Sequence, residues 1–186
     1  MKRLVIMTIG KTHSGKTTFG KQLEMQLPNS IVIDQDNHAT FLNTHYKKLV
    51  PTNSLNKLKI GLSQYILKYA IGHTDFNIVI SSSNLGKQGR ILLFEQFFPS
   101  DEWTRIYVYF NYANDTLQRR IANTTRSTSI FRNKQMTFES LLVRHGEQIE
   151  PPSENEADII IHVNEQYSPE MALKEIRMVS ENSRKV

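Results

Sequence analysis

The chain has 186 residues, 39% hydrophobic and 22% charged, which is the profile of a single soluble globular domain with a proper core; no apolar stretch is long enough to span a membrane. With no cysteine, disulfides and Cys-ligated metal are excluded, in agreement with a cytoplasmic protein. The net charge of +5 is unevenly spread: residues 1–93 carry 12 Lys/Arg against 4 Asp/Glu, a balance of +8, and residues 94–186 carry 11 against 14, a balance of −3.

A basic first half suits anionic ligands. Nucleic acid is compatible with it, although no Lys/Arg run or interleaved aromatic motif marks such a partner. Leu4 to Ile9 is an apolar, β-branched run with the length of a buried strand, so the N-terminus reads as structure and not as a signal peptide. Gly10-Lys11-Thr12-His13-Ser14-Gly15-Lys16-Thr17 follows it and fits the phosphate-binding pattern G-x-x-x-x-G-K-[ST]. Phe19, Leu23 and Leu27 then recur every four residues, the spacing of one helix face, with the helix opening at Lys16.

Each position of the motif has a chemical purpose. Glycines let the backbone bend so that successive N–H groups form a concave nest for phosphate oxygens, and the helix N-terminus adds unpaired N–H groups behind it. Residues 10–17 together with Thr18 are the nucleotide-binding candidates, Lys16 reaching the β- and γ-phosphates of ATP and Thr17 ligating Mg2+.

Ile31 to Ile33 reads as a second buried strand, with Asp34 and Asp36 at its carboxyl end, where open α/β sheets bind ligands. Asp in such a place serves equally as a helix cap or a solvated turn. A weakly patterned helix is expected over Ala39–Leu49, punctuated by Pro51-Thr52-Asn53. Leu55, Leu58, Leu62, Ile66 and Tyr69 form the stripe of the next helix, closed by Gly72, with Tyr65 and Tyr69 packing in the core or at its rim. Asn77–Ser81 is the third strand. Many phosphate-loop enzymes end this strand in an Asp that orients magnesium, but here only Ser81, Ser82 and Ser83 are offered. A helix with Ile91, Leu92, Phe94, Phe97 and Phe98 follows.

Trp103–Phe110 is the fourth strand, and Asn114 is placed to cap a helix that turns Leu117 and Ile121 inward. Residues 123–136 are polar, aperiodic and basic, with Arg126, Arg132 and Lys134. A segment of this kind can close over phosphates as a lid, or it can be a solvated loop. Asn133-Lys134-Gln135-Met136 lacks the Asp of a guanine-reading N-K-x-D, which argues against a GTPase. A short helix over Thr137–His145 ends at Gly146. Ile159–Val163 is the fifth strand, and Ser168, Pro169 and Glu170 open the closing helix, with a frayed tail after Asn182. The six histidines show no metal-ligand spacing.

Strands alternating with helices imply a mainly parallel sheet covered on both faces. With these landmarks the chain resembles the small P-loop kinases, particularly the AAA-type, zeta-toxin-like and polynucleotide 5′-kinase-like group of P-loop NTPases. That resemblance implies a three-layer fold of five strands with the phosphate-loop strand in the middle, plus a short lid. It also implies transfer of the γ-phosphate of ATP to a hydroxyl of an acceptor, either a small molecule or a polynucleotide end. Asp36 stands where that group carries its general base, and Ser82-Ser83-Asn84-Leu85 with Arg90 stand where it has an Asp-Thr-Asn-Leu type segment and an Arg. Arg120 and Arg126 match its lid arginines approximately. Lys16, Asp36, Arg120 and Arg126 are therefore the catalytic candidates, and Thr17 with Asp34 the magnesium candidates. A nucleotide-binding regulator with little catalysis is the alternative, motivated by the serine in place of the third-strand carboxylate.

Overall fold

The computed structural model describes residues 2–51, 56–131, 133 and 135–183; Thr52, Asn53, Leu55, Arg132, Lys134 and the last three residues lie outside them. Five strands, β1 (Arg3–Gly10), β2 (Ser30–Asp34), β3 (Asn77–Ser81), β4 (Trp103–Phe110) and β5 (Ile159–Val163), form one sheet in the order β2-β3-β1-β4-β5. Every pairing is parallel, so the phosphate-loop strand is central, as expected. The described residues also form seven α-helices: α1 (Lys16–Gln26), α2 (Gln35–His45), α3 (Lys57–His73), α4 (Lys87–Phe97), α5 (Asn114–Ala122), α6 (Phe138–Gln148) and α7 (Pro169–Ser183). None of the described helices is long and apolar enough to cross a membrane.

The central strand is apolar along its length because both its faces are covered. Leu4 and Ile6 point into a cluster with Phe19, Leu23, Leu117, Leu141 and Ile176, from α1, α5, α6 and α7. Val5, Met7 and Ile9 point the other way, into Leu67, Ala70, Phe94 and Phe98. The period-two alternation of a strand thus feeds two cores at once.

Several local expectations shift by a physical cause. The second helix begins at Gln35 and not at Ala39, because the Asp34 carboxylate accepts the N–H of Asp36 and caps it; a short 3₁₀ turn at Lys47–Leu49 takes up the end of the expected span. On α3 the buried residues are Ser63, Leu67 and Ala70, while Leu58, Tyr65 and Tyr69 are 40%, 70% and 56% exposed, so the two tyrosines are not core residues. Gly72 lies inside α3, which Thr74 ends. Asn114 is the first residue of α5 and not its cap; its side chain accepts from Lys11 Nζ at 2.7 Å. Gly146 lies inside α6, whose start is fixed by reciprocal hydrogen bonds between Thr137 and Ser140.

Arg90 proves to be structural. It is buried under the sheet end with Nε and Nη2 both 2.9 Å from Glu156 Oε2, only Nε being aligned as a hydrogen bond, and Nη1 donates to the carbonyls of Asn84 and Leu85. The side chains are 0% and 2% exposed. Burial pushes the Glu156 carboxyl up, but hydrogen bonds from Ser153 and Arg90 outweigh it and hold the group below its ordinary value. The pair's contribution is therefore present above that ordinary value and is lost as pH falls through the depressed native one. Glu156→Gln, which leaves a buried guanidinium unpaired, should destabilise the protein by about 3–5 kcal/mol at neutral pH, read from urea unfolding.

Candidate active site

All the candidate residues from the loop, β2 and β3 fall at the carboxyl ends of the parallel strands, where loops diverge and leave a crevice. A cleft of about 760 Å3 lies there, lined by the phosphate loop, the starts of α2 and α3, Ser81–Ser83, Arg126, Ile130, Phe131, Asn133, Met136 and α6.

The loop needs its two glycines for different reasons. At Gly10, φ is +151° and an added Cβ would lie 2.8 Å from the Phe110 carbonyl oxygen, so both conformation and space demand glycine. Gly15, at φ +100°, delivers the chain into α1 from the left-handed region. The α1 N-terminus has neither a side-chain cap nor an acid in its first turn, whereas α2, α3 and α6 are capped by Asp34, Asn56 and Thr137. An uncapped helix start inside a bent loop is a site for an anion.

The loop residues divide by position. Thr12, His13, Gly15, Lys16, Thr17 and Thr18 line the cleft. Gly10, Lys11 and Ser14 shape the loop from behind, the Gly10 N–H donating to Ser83 O at 3.0 Å and Ser14 Oγ to Lys11 O at 2.9 Å. Lys16 Nζ donates to Lys11 O at 2.5 Å and to Ser14 Oγ at 3.1 Å. Burial pulls its ammonium down to about 7; Asp36 and Asp34 oppose the fall and Arg126 adds to it.

Thr17 Oγ1 donates to Asp34 Oδ2 at 3.1 Å, and Asp34 Oδ1 accepts the Asp36 N–H at 2.8 Å. Asp34 is 3% exposed, and burial, opposed by these hydrogen bonds, pushes its carboxyl up. In the sheet Asp34 is the register partner of Ser81, which puts a carboxylate on the strand next to the one that ends in serines. Ser81 Oγ is buried in the cleft wall without a hydrogen-bond partner. A hydroxyl, a desolvated carboxylate and an orphaned hydroxyl grouped at the foot of the phosphate loop are a hard, oxygen-rich set that fits Mg2+. Thr17 and Asp34 would hold it.

Asp36 is the second residue of α2, and Arg126 Nη2 lies 2.6 Å from its Oδ2, the two side chains being 43% and 33% exposed. Neighbouring contacts also tie α2 to the basic segment: Asn43 Nδ2 donates to Ser129 O at 2.9 Å, and the Thr40 and Ser129 hydroxyls lie 3.5 Å apart. Arg126 thus reaches the cleft. Arg120 is not among the lining residues: its Nη1 donates to the carbonyls of His13 and Ser14, each at 3.3 Å, and its guanidinium lies over the Tyr112 ring. It supports the loop from outside and does not face the cleft, where the sequence placed it beside the transferring phosphate.

Sequence reasoning also missed residues. His145 on α6 lines the cleft and accepts the Thr12 N–H on Nδ1 at 3.0 Å. Burial, with Lys16 and Arg144 close by, pulls its ring down to about 4. Lys59 on α3 and Arg144 on α6 enter the wall as well. Nothing local in the sequence distinguishes them, since each sits on a helix whose register with the loop is a tertiary fact.

Against solved structures the likeness extends over almost the whole chain. A sugar kinase from a Janibacter species superposes with a TM-score of 0.64 at 16% identity, covering 95% of this chain and 92% of that one. A gluconokinase from Sinorhizobium meliloti gives 0.60 at 17%, covering 98% and 95%. A shikimate kinase from Bacteroides thetaiotaomicron gives 0.57 at 18%, covering 96% and 98%. The fold is that of the small P-loop kinases. The sequence matches no family model and no curated protein.

Proposed function

We propose that this protein is a small P-loop kinase that transfers the γ-phosphate of ATP to a hydroxyl of a small-molecule acceptor. The observation that carries the reading is the convergence of Lys16, Thr17 and the Asp36–Arg126 pair on one cleft at the uncapped start of α1, with Asp34 buried behind Thr17 and hydrogen-bonded to it. In this reading the cleft combines a phosphate nest, a divalent-cation site, a carboxylate base and a second cation, which phosphoryl transfer uses and simple nucleotide storage does not.

In this reading the loop binds the β- and γ-phosphates and Lys16 neutralises charge on the transferring group. Thr17 and Asp34 would hold Mg2+, which when bound would neutralise charge on the triphosphate. Asp36 takes the proton of the acceptor hydroxyl; that oxygen forms a bond to the γ-phosphorus as the bond to the β,γ-bridging oxygen breaks, releasing ADP. Arg126 exchanges Asp36 for the γ-phosphate, so the triphosphate both recruits the cation and frees the base. The segment over residues 123–136 is the lid that carries this exchange. Arg120 acts at one remove, by holding the loop carbonyls.

Two features favour a small acceptor over a polynucleotide end. The contacts of α2 with Ser129 close one side of the cleft beside Asp36, and the similar structures include a sugar kinase, a gluconokinase and a shikimate kinase. Lys59 and Arg144 in the wall suit an acceptor that carries negative charge. The resemblance of the sequence landmarks to the zeta-toxin-like and polynucleotide 5′-kinase-like kinases is the reason an oligonucleotide belongs among the acceptors to be tested. ATP consumption measured against a panel of hydroxyl compounds and oligonucleotides tests the whole reading. Acceptor-stimulated turnover by a small compound supports it; tight ATP binding with no turnover on any acceptor favours the regulator instead, and turnover on oligonucleotides alone reassigns the acceptor.

A second consequence follows from the depressed Lys16. In the nucleotide-free loop the ammonium titrates near 7, and a bound triphosphate restores its charge. Binding ATP at pH 8 should take up close to one proton, about 0.9, from solution, seen as a dependence of the calorimetric enthalpy on buffer ionisation enthalpy. Affinity should fall as pH rises from 7 to 9. Proton release, or no exchange, would contradict a buried Lys16 on the phosphates. For stability the sign is the reverse: the native state disfavours the charged lysine, so its penalty is full below about 7 and fades as pH rises toward the ordinary value of 10.5.

A further inference from the structure

The phosphate loop holds one residue in an unfavourable conformation. His13 has φ +59°, in the left-handed region that a non-glycine residue occupies only where its surroundings hold it there. The holders come from far along the chain. His13 Nε2 lies 3.1 Å from Thr124 Oγ1, and its ring packs edge-on against Phe138 of α6 at 4.6 Å. The residue just before it is held from the same helix, through the Thr12 N–H on His145 Nδ1 at 3.0 Å, across 133 residues of sequence. Thr12 and His145 are 4% and 8% exposed.

The direction of that hydrogen bond settles the chemistry of the ring. A backbone N–H can only donate, so Nδ1 must be unprotonated, and the neutral imidazole then carries its hydrogen on Nε2. The bland role for such a residue is a satisfied core histidine. Two facts go beyond it: the group it holds belongs to the loop whose shape makes the anion site, and the same ring walls the cleft that contains Lys16 and Asp36.

We propose that His145 is a positioning residue of the phosphate loop, holding Thr12 through an unprotonated Nδ1 and so tying the loop to α6 and the lid that precedes it. The role in catalysis rests on the kinase reading above; the tautomer and the contact do not. Because the loop must keep the His13 turn for its N–H groups to converge, loss of the Nδ1 acceptor weakens nucleotide binding before it touches the chemistry.

Two measurements test this. In 15N-labelled wild-type protein, long-range 1H–15N correlation of the imidazoles should show His145 as the Nε2–H tautomer, unchanged from pH 8 to pH 5.5, with Lys16, Arg144 and Asp36 as the charged groups that bear on it. An Nδ1–H tautomer, or titration near the ordinary histidine value, overturns the proposal. Binding of a fluorescent ATP analogue with Mg2+ should weaken about tenfold in His145→Ala, the scale of one lost hydrogen bond. His145→Asn, whose side-chain oxygen can stand near Nδ1, should recover binding to within about twofold, the difference of a few tenths of a kcal/mol being small against that bond. His145→Gln, whose amide reaches toward the Nε2 position instead, should not. Equal behaviour of Asn and Gln, or wild-type binding by Ala, overturns it. If wild-type protein binds no nucleotide at all, the kinase reading fails while the tautomer measurement still decides the contact.

Discussion

Replacing Lys16 with alanine is expected to lower acceptor-stimulated ATP turnover by about 10²–10³-fold and to weaken ATP binding in the same variant. The expectation comes from position. Lys16 Nζ lies within the loop on the Lys11 carbonyl and Ser14 Oγ, and its ammonium is desolvated enough to titrate near 7. A cation that is poorly solvated in the empty loop gains more from a triphosphate than an exposed one does, because a dry site strengthens the attraction and the charge needs no reorganisation. Steady-state kinetics and calorimetry on the same preparation check both halves. Undiminished affinity with undiminished turnover would remove Lys16 from the site. Because Lys16→Ala also removes a half-buried, unfavourably placed charge, its melting temperature should not fall.

Asp36→Asn separates binding from chemistry. We expect turnover to fall by about 10²–10⁴-fold, the range for a lost general base, with ATP affinity nearly unchanged. The Arg126–Asp36 ion pair is one-third to two-fifths exposed, so it contributes about 0–1 kcal/mol to stability, and the variant should melt near the wild type. Any large loss of activity then belongs to the missing carboxylate and not to a collapsed fold. The reverse pattern, with ATP binding lost and turnover per bound ATP retained, would make Asp36 a nucleotide or structural residue. Persistent ATP binding in wild type and variant alike, with no acceptor ever turned over, would support the regulator.

The missing carboxylate on the third strand illustrates how sequence and structure divide the labour. Along the chain, Ser81 to Ser83 stand where an acid is expected, and that gap motivates the non-catalytic alternative. In space, Asp34 is the sheet partner of Ser81 and holds the Thr17 hydroxyl. Asp34 lies 47 positions from Ser81 in sequence and one strand away in the sheet. Asp34 is visible in the sequence as a strand-end carboxylate, but its partners are not, since a strand's neighbours depend on sheet order and not on adjacency in the chain.

Arg120 and His145 miss in opposite directions for the same reason. Arg120 looks like a lid cation because it lies next to a basic, aperiodic segment, yet α5 is rotated so that its guanidinium meets the back of the loop and the Tyr112 ring. His145 looks like an ordinary helix-end histidine, yet α6 docks so that its Nδ1 meets Thr12. Charge counts locate a basic segment without saying which way a helix turns its faces. The exposed Tyr65 and Tyr69 on α3 are the same failure, an apolar period that matches the helix repeat while the core contacts fall on Ser63, Leu67 and Ala70.

By itself the sequence determined the parts governed by short-range rules: the strand–loop–helix of Gly10 to Thr17, the spans of β3, β4 and β5, the alternation that makes a parallel sheet, and Asp34 and Asp36 at a strand end. Steric demand at Gly10 and Gly15, β-branched runs and helix periodicity all act within a few residues, so they can be read in order along the chain. Only the tertiary structure decided which groups share the cleft: Thr17 with Asp34, Asp36 with Arg126, Thr12 with His145. Those pairings depend on strand order and helix docking, which are settled by burial of the two apolar clusters against the sheet and not by any local preference.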